Sequence, residues 1–176
     1  MNTYIRIPRI ILLAMLVMTI ALLPASGTQA ISVVIERVSV ASDGTQGNQD
    51  SFRPALSANG RYVAFTSLAT NLVPDDTNNA RDVFVYDRLS NTNTRVSVDA
   101  EGTQANGESG IMVSISDDGN LIAFDSTAPG LLPGNPGGLR QIYVYDQQSA
   151  TIERVSAAND GTAANGESRF SDMSAD

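Results

Sequence analysis

The sequence predicts an all-β fold made of repeated four-stranded antiparallel sheets, and three observations predict it. Arg37-Val38-Ser39 returns as Arg95-Val96-Ser97 and as Arg154-Val155-Ser156, at spacings of 58 and 59 residues. The stretches "RVSVDAEGTQANGES" (95–109) and "RVSAANDGTAANGES" (154–168) are identical at 10 of 15 positions, so repetition sets the architecture. Short runs such as Tyr62-Val63-Ala64-Phe65 and Val83-Phe84-Val85-Tyr86 are apolar at consecutive positions. Successive side chains of a strand point to opposite faces, so these runs must be covered on both sides. Sheets stacked face against face, as β-propeller blades are, meet that demand. An ordinary sandwich leaves one face wet and needs no 58-residue period.

Each element follows in order. In the first unit, about 52–98, "FRPALS" (52–57) turns through Ala58-Asn59-Gly60 into "RYVAFTS" (61–67). A long polar loop leads to "DVFVYD" (82–87), and a Ser-Asn-Thr turn to "TRVSV" (94–98). The second unit, about 110–157, repeats this with "MVSIS" (112–116), "NLIAFDS" (120–126), "QIYVYD" (141–146) and "IERVSA" (152–157). A third begins near 168. Gly60 and Gly119 supply the positive φ of a tight hairpin. "IERV" at 35–38 is identical to "IERV" at 152–155, so residues 31–40 read as an outer strand ahead of the first blade.

Residues 1–30 read as a secretory signal peptide. Arg6 and Arg9 precede an apolar run of 14 residues, 10–23, and Pro24-Ala25-Ser26-Gly27 leads to a cleavage site after Ala30. A membrane-spanning helix needs roughly 20 apolar residues; an uncleaved anchor is the alternative. The expected location is periplasmic, secreted or cell-surface, with no stable membrane span after cleavage. Removing Arg6 and Arg9 takes the basic count from 11 to 9 against 19 acidic residues, a formal charge of −10. Such a surface is a poor partner for nucleic acid. The chain has no His, Cys, Lys or Trp, which removes imidazole and thiolate zinc sites and Ser-His-Asp or Cys-His nucleophile pairs.

"SANGRYVAFTS" (57–67) and "SDDGNLIAFDS" (116–126), each followed by "DVFVYD" or "QIYVYD", resemble the WD-repeat-like motif of TolB-type β-propellers over residues 35–176. The resemblance implies an exported bacterial propeller. It leaves function open, because similar blades occur in translocation proteins and in propeller domains fused to prolyl-oligopeptidase-like peptidases. A closed ring needs at least four blades, about 232 residues at this period. Residues 31–176 are therefore expected to be a partial propeller from the amino-terminal part of a longer protein, the remaining blades being its first partner. A ring of several chains is the alternative. Met173-Ser174-Ala175-Asp176 matches Leu56-Ser57-Ala58-Asn59, so the sequence stops inside the next hairpin.

In up-and-down blades the long loops and the inter-blade linkers share one end. There Asp43, Asp50, Glu101, Glu108, Asp160 and Glu167 recur at matching places and suggest an acidic surface that attracts cations or basic peptides. The simpler reading of the linker motif "DGTxxNxxS" is a structural turn, with Gly44, Gly102 and Gly161 at special backbone angles and Asn48, Asn106 and Asn165 capping loop amides. Calcium is the one cofactor suggested, through Asp75, Thr77, Asn79 and Asp82 in "DDTNNARD". The matching stretch "GNPGGLRQ" keeps almost none of these ligands, which favours a solvated loop with Asx-turns. "GESG" (107–110) lacks the glycine that a serine elbow requires at Ile111. Arg37, Arg95 and Arg154 are expected in ion pairs along outer strands. The leading expectation is a non-enzymatic exported module that binds a protein or peptide through its acidic loop end. The alternatives are a peptidase's propeller domain, whose catalytic domain lies beyond residue 176, and a calcium-stabilised surface protein.

Overall fold

The computed structural model describes residues 34–133 and 137–174. The signal-peptide reading of residues 1–30 lies outside them. Among the described residues all regular structure is β: β1 (Ser51–Leu56), β2 (Tyr62–Ser67), β3 (Asp82–Asp87), β4 (Thr92–Arg95), β5 (Ser109–Ile115), β6 (Leu121–Ser126), β7 (Gln141–Asp146) and β8 (Thr151–Arg154). They form two four-stranded antiparallel sheets with strand orders β1-β2-β3-β4 and β5-β6-β7-β8. These are two propeller blades, and they do not close a ring.

The two hairpins at residues 57–61 and 116–120 are built alike. Ser57 Oγ donates to Asn59 Oδ1 at 2.7 Å, and Asn59 Oδ1 accepts the Arg61 amide at 2.9 Å. Ser116, Asp118 and Asn120 repeat this at 2.6 and 2.9 Å. Gly60 and Gly119 sit at φ +69° and +82°. The hairpins also join the sheets, since the Ala58 amide donates to the Asp117 carbonyl at 3.0 Å.

The register β2–β3 places Ala64 opposite Val85, Phe65 opposite Phe84 and Thr66 opposite Val83. Alternation then gives the first sheet two apolar faces. Ala64, Val83 and Val85 join Val113, Ile122, Phe124, Tyr143 and Tyr145 of the second sheet in one core. Val63, Phe65, Phe84 and Tyr86 form the other face, with Val38, Val40 and Val73 packed against it. Phe65 stacks on Phe84 with ring centroids 5.8 Å apart, and Phe124 on Tyr143 at 6.0 Å. The consecutive apolar positions are therefore covered on both sides.

Two expectations need correction. The outer strands end at Arg95 and Arg154, short of "TRVSV" and "IERVSA". The reason is a serine hydroxyl that takes the place of a backbone carbonyl: Ser97 Oγ accepts the Val83 amide at 3.2 Å, and Ser156 Oγ accepts the Ile142 amide at 2.9 Å. The chain then leaves the ladder, and Val96 and Val98 pack between the sheets. Residues 34–38 form no strand either. Val38 and Val40 lie on the first sheet as Val96 and Val98 lie on the second, and Asn93 Nδ2 donates to the carbonyls of Val38 and Val40. Residues 169–174 also lack regular structure. Even so, the Ser168 amide donates to the Arg140 carbonyl at 2.8 Å, as the Ser109 amide does to Arg81 at 2.9 Å.

The change of spacing from 58 to 59 has a local cause. Pairing slips between Phe52 and Ala55 in β1, and between Ser109 and Val113 in β5. The second bulge holds one more residue.

Candidate functional site

The inter-blade linkers form one turn three times, closed by the bridges Val40↔Gln46, Val98↔Gln104 and Ala157↔Ala163. Gly44, Gly102 and Gly161 take φ of +84°, +78° and +82°, and a side chain at any of the three would meet open space. They are turn glycines, as expected.

The six linker acids divide by position. Asp43 Oδ1 accepts the Thr45 amide at 2.8 Å and Asp160 Oδ1 the Thr162 amide at 2.9 Å, and these bonds hold both carboxyls below the usual range. In the middle linker Asp99 does this, accepting the amides of Thr103 at 2.7 Å and Glu101 at 3.0 Å. Glu101 is exposed. Asp50 and Glu108 serve through their backbones: the Asp50 carbonyl accepts the Leu68 amide and the Glu108 carbonyl the Thr127 amide, both at 3.0 Å. The Glu108 carboxylate lies 3.9 Å from Arg81 Nη1, and Glu167 pairs with Arg169.

Asn48 ties its linker to the long loop of the first blade. Its Oδ1 accepts the Thr70 amide at 2.9 Å, and its Nδ2 donates to Thr70 Oγ1 at 2.9 Å. Gln104 does the same from the other side. Its Oε1 accepts the Thr77 amide at 3.0 Å, while its Nε2 donates to Asp76 Oδ1 at 2.8 Å and to Asp82 Oδ2 at 2.9 Å.

Of the four residues named for calcium, Asp82 and Thr77 have their side chains engaged by other protein groups. Asp82 is fully buried, accepting Ser97 Oγ at 2.5 Å on Oδ1 and Asn78 Nδ2 at 3.1 Å on Oδ2 beside Gln104. Burial pushes its carboxyl up, against the opposing bonds from Ser97 and Gln104. Thr77 is turned to Gln104, and the Asp75 carbonyl accepts Arg95 Nη2 at 3.5 Å. Asn79 takes the left-handed conformation, φ +51°. Among the described residues no group of three or more His, Cys, Asp or Glu is placed to hold a metal ion. The sequence reading missed Asn78, Ser97 and Gln104, the donors that satisfy Asp82. A carboxylate opening an apolar strand was the available signal, because a buried charge needs donors.

Of the recurring arginines, Arg95 lies 3.7 Å from Asp76 Oδ1, whereas Arg154 donates to the Gly161 carbonyl at 3.0 Å. Ser109 of "GESG" is buried and bonded to Ser126 Oγ at 2.9 Å. A second buried ion pair lies in the other blade, Arg140 Nη1 to Asp125 Oδ2 at 2.6 Å.

No family model and no curated protein matches the chain. Solved structures do. TolB from Acinetobacter baumannii is similar over 64% of this chain and 22% of its own, at 18% identity and a TM-score of 0.40. The chain assigned as TolB in Agrobacterium tumefaciens is similar over 63% and 32%, at 21% identity and 0.42. The tricorn protease is similar over 62% and 9%, at 16% identity and 0.39. This chain thus spans about a fifth of the first and a third of the second. Its blade architecture is given by its own strand order, register and sheet packing.

Proposed function

We propose that the chain is an exported, non-enzymatic β-propeller module that binds a basic protein or peptide segment through its loop end. One observation carries this reading: a single turn is built three times and presents Asp43, Glu101 and Asp160 to solvent. Rigid turns that repeat an exposed carboxylate concentrate negative potential, which attracts cations. The excess of 19 acidic over 11 basic residues acts in the same direction.

The test is titration of the full chain with a fluorescent oligo-arginine peptide at several salt concentrations. The triple variant Asp43→Asn, Glu101→Gln, Asp160→Asn keeps one acceptor oxygen at each position, enough for the Thr45 and Thr162 amides, and removes the charge. The expected result is affinity about tenfold weaker in the variant and a shallower salt dependence. Equal affinity and equal salt dependence would refute the reading.

A further inference from the structure

The two blades differ at a buried ion pair next to the first strand. In the second, Asp125 of β6 is held from two sides: Arg140 Nη1 reaches Oδ2 at 2.6 Å, and the amide of Met112, in the β5 bulge, donates to Oδ1 at 2.8 Å. The pair is almost wholly buried.

A shift of 59 residues carries Asp125, Arg140 and Met112 onto Thr66, Arg81 and Arg53. The arginine is kept, the carboxylate is replaced by a threonine, and the bulge residue is Arg53, in the left-handed conformation at φ +54°. Thr66 Oγ1 is turned to the Phe52 carbonyl at 3.3 Å. At that place a cavity of about 120 Å³ opens, lined by Phe52, Arg53, Thr66, Arg81, Gly110 and Ile111. The three residues that replace the Asp125 cradle are thus all in its wall.

Arg81 is left with little. Its guanidinium lies over the Phe52 ring, 5.5 Å from the centroid. Its contact with Glu108 is loose, at 3.9 Å, and among the described residues its buried Nε has no hydrogen-bond partner. A guanidinium with an unused donor fits a planar carboxylate.

We propose that this cavity is a carboxylate-binding site, in which an external carboxylate takes the place that Asp125 fills in the second blade. The ligand is a small free carboxylate or the acidic side chain of a peptide. Arg81, lying over the Phe52 ring, supplies the charge-assisted bonds and Arg53 the backbone donor. The site borders the acidic loop end through the Arg81–Glu108 contact but does not depend on the function proposed for that end.

The full chain, labelled with nitrogen-15, is titrated with sodium acetate and, separately, with an amide-capped glutamate peptide, against sodium chloride at matched ionic strength. The readouts are the Arg81 Nε–H and Arg53 backbone amide resonances, with Arg140 Nε–H as internal control. The expected result is a saturable shift at Arg81 and Arg53 with either carboxylate and none at Arg140. A response to acetate means the carboxylate alone suffices; a response to the capped glutamate only assigns the site to peptide-borne acids. Thr66→Asp, which restores an internal partner, abolishes the response at Arg81. Arg81→Gln abolishes it at Arg53, so the outcome does not hang on one variant folding. No shift with either carboxylate, an equal shift with chloride, or a response that survives both substitutions overturns the proposal.

Discussion

Gly110→Ala tests the packing of one sheet on the other most directly. Gly110 sits in β5 at φ +73°, and a Cβ there would lie 2.5 Å from Thr66 Cγ2 and 2.7 Å from Val83 Cγ2. Thr66 and Val83 are both fully buried in the facing sheet. A left-handed backbone costs a non-glycine residue about 1 kcal/mol, and overpacking a filled core costs about 1–3 kcal/mol more. Gly102→Ala is the matched control, since its φ is +78° and its Cβ would meet nothing within 4 Å. It carries the backbone cost alone. Thermal unfolding followed by circular dichroism should therefore show Gly110→Ala melting roughly 5–15 °C below the parent and Gly102→Ala only roughly 2–5 °C below it. Equal melting temperatures for the two variants would mean that β5 does not press on the first sheet, and the face-to-face arrangement would fall.

Phe124→Ala removes a fully buried ring stacked on Tyr143 and should cost about 3–5 kcal/mol in urea unfolding. Asp87 is held down to about 2 by the two-pronged hydrogen bond from Arg61, with contacts at 2.9 and 2.7 Å. A depressed carboxyl stabilises above its unfolded range and loses that contribution as pH falls through the folded value. The half-exposed Arg61 keeps the effect under about 1 kcal/mol. Urea midpoints measured from pH 5 to about pH 2 should fall more steeply in the parent than in Asp87→Asn. Asp82→Gln and Gln104→Ala each break the buried network beside Ser97, whereas the double variant reproduces the second blade's Gln141 and Ala163. Unfolding of the four proteins should give a favourable coupling of about 1–3 kcal/mol; additive costs would count against the network.

Much of the fold was legible because apolar runs, hairpin glycines and repeat spacing all report short-range constraints. Val83-Phe84-Val85-Tyr86 had to be covered on both faces, and it is. Less legible was where the outer strands end, because Ser97 and Ser156 stop the ladder through side-chain oxygens that mimic a backbone carbonyl. Propensity sees a strand continuing through Arg-Val-Ser-Val. The linkers were legible as turns through their glycines, whereas the acids read as a surface; that Asp43 and Asp160 cap the amides two positions on was not foreseen. Asp82 misled, since oxygen ligands at calcium-like spacing look the same in sequence whether they face solvent or a buried glutamine. As the first residue of β3, Asp82 is buried among Ser97, Asn78 and Gln104.

The two blades together act as a natural substitution experiment. They bury carboxylates at different places: Asp82, with Asp76 near it, at the loop end of the first, and Asp125 beside the first strand of the second. Where the first blade has Asp82, the second has Gln141, whose Oε1 accepts Ser156 Oγ at 2.8 Å and whose Nε2 donates to the Gly166 carbonyl at 3.1 Å. The amide satisfies the same serine with no charge to bury. Where the second blade has Asp125, the first has Thr66, and Arg81 remains without the partner Arg140 keeps. A buried carboxylate is tolerated only where donors surround it, so replacing either one should free its former donors for other partners. At the loop end the change removed a neighbour as well, Gln104 becoming Ala163, although Arg154 Nε, beside that linker, is buried with no hydrogen-bond partner among the described residues. At Arg81 the guanidinium stayed. There the substitution left a charged donor beside a cavity, which makes the first blade's cavity a place where a carboxylate would complete the pattern of the second blade.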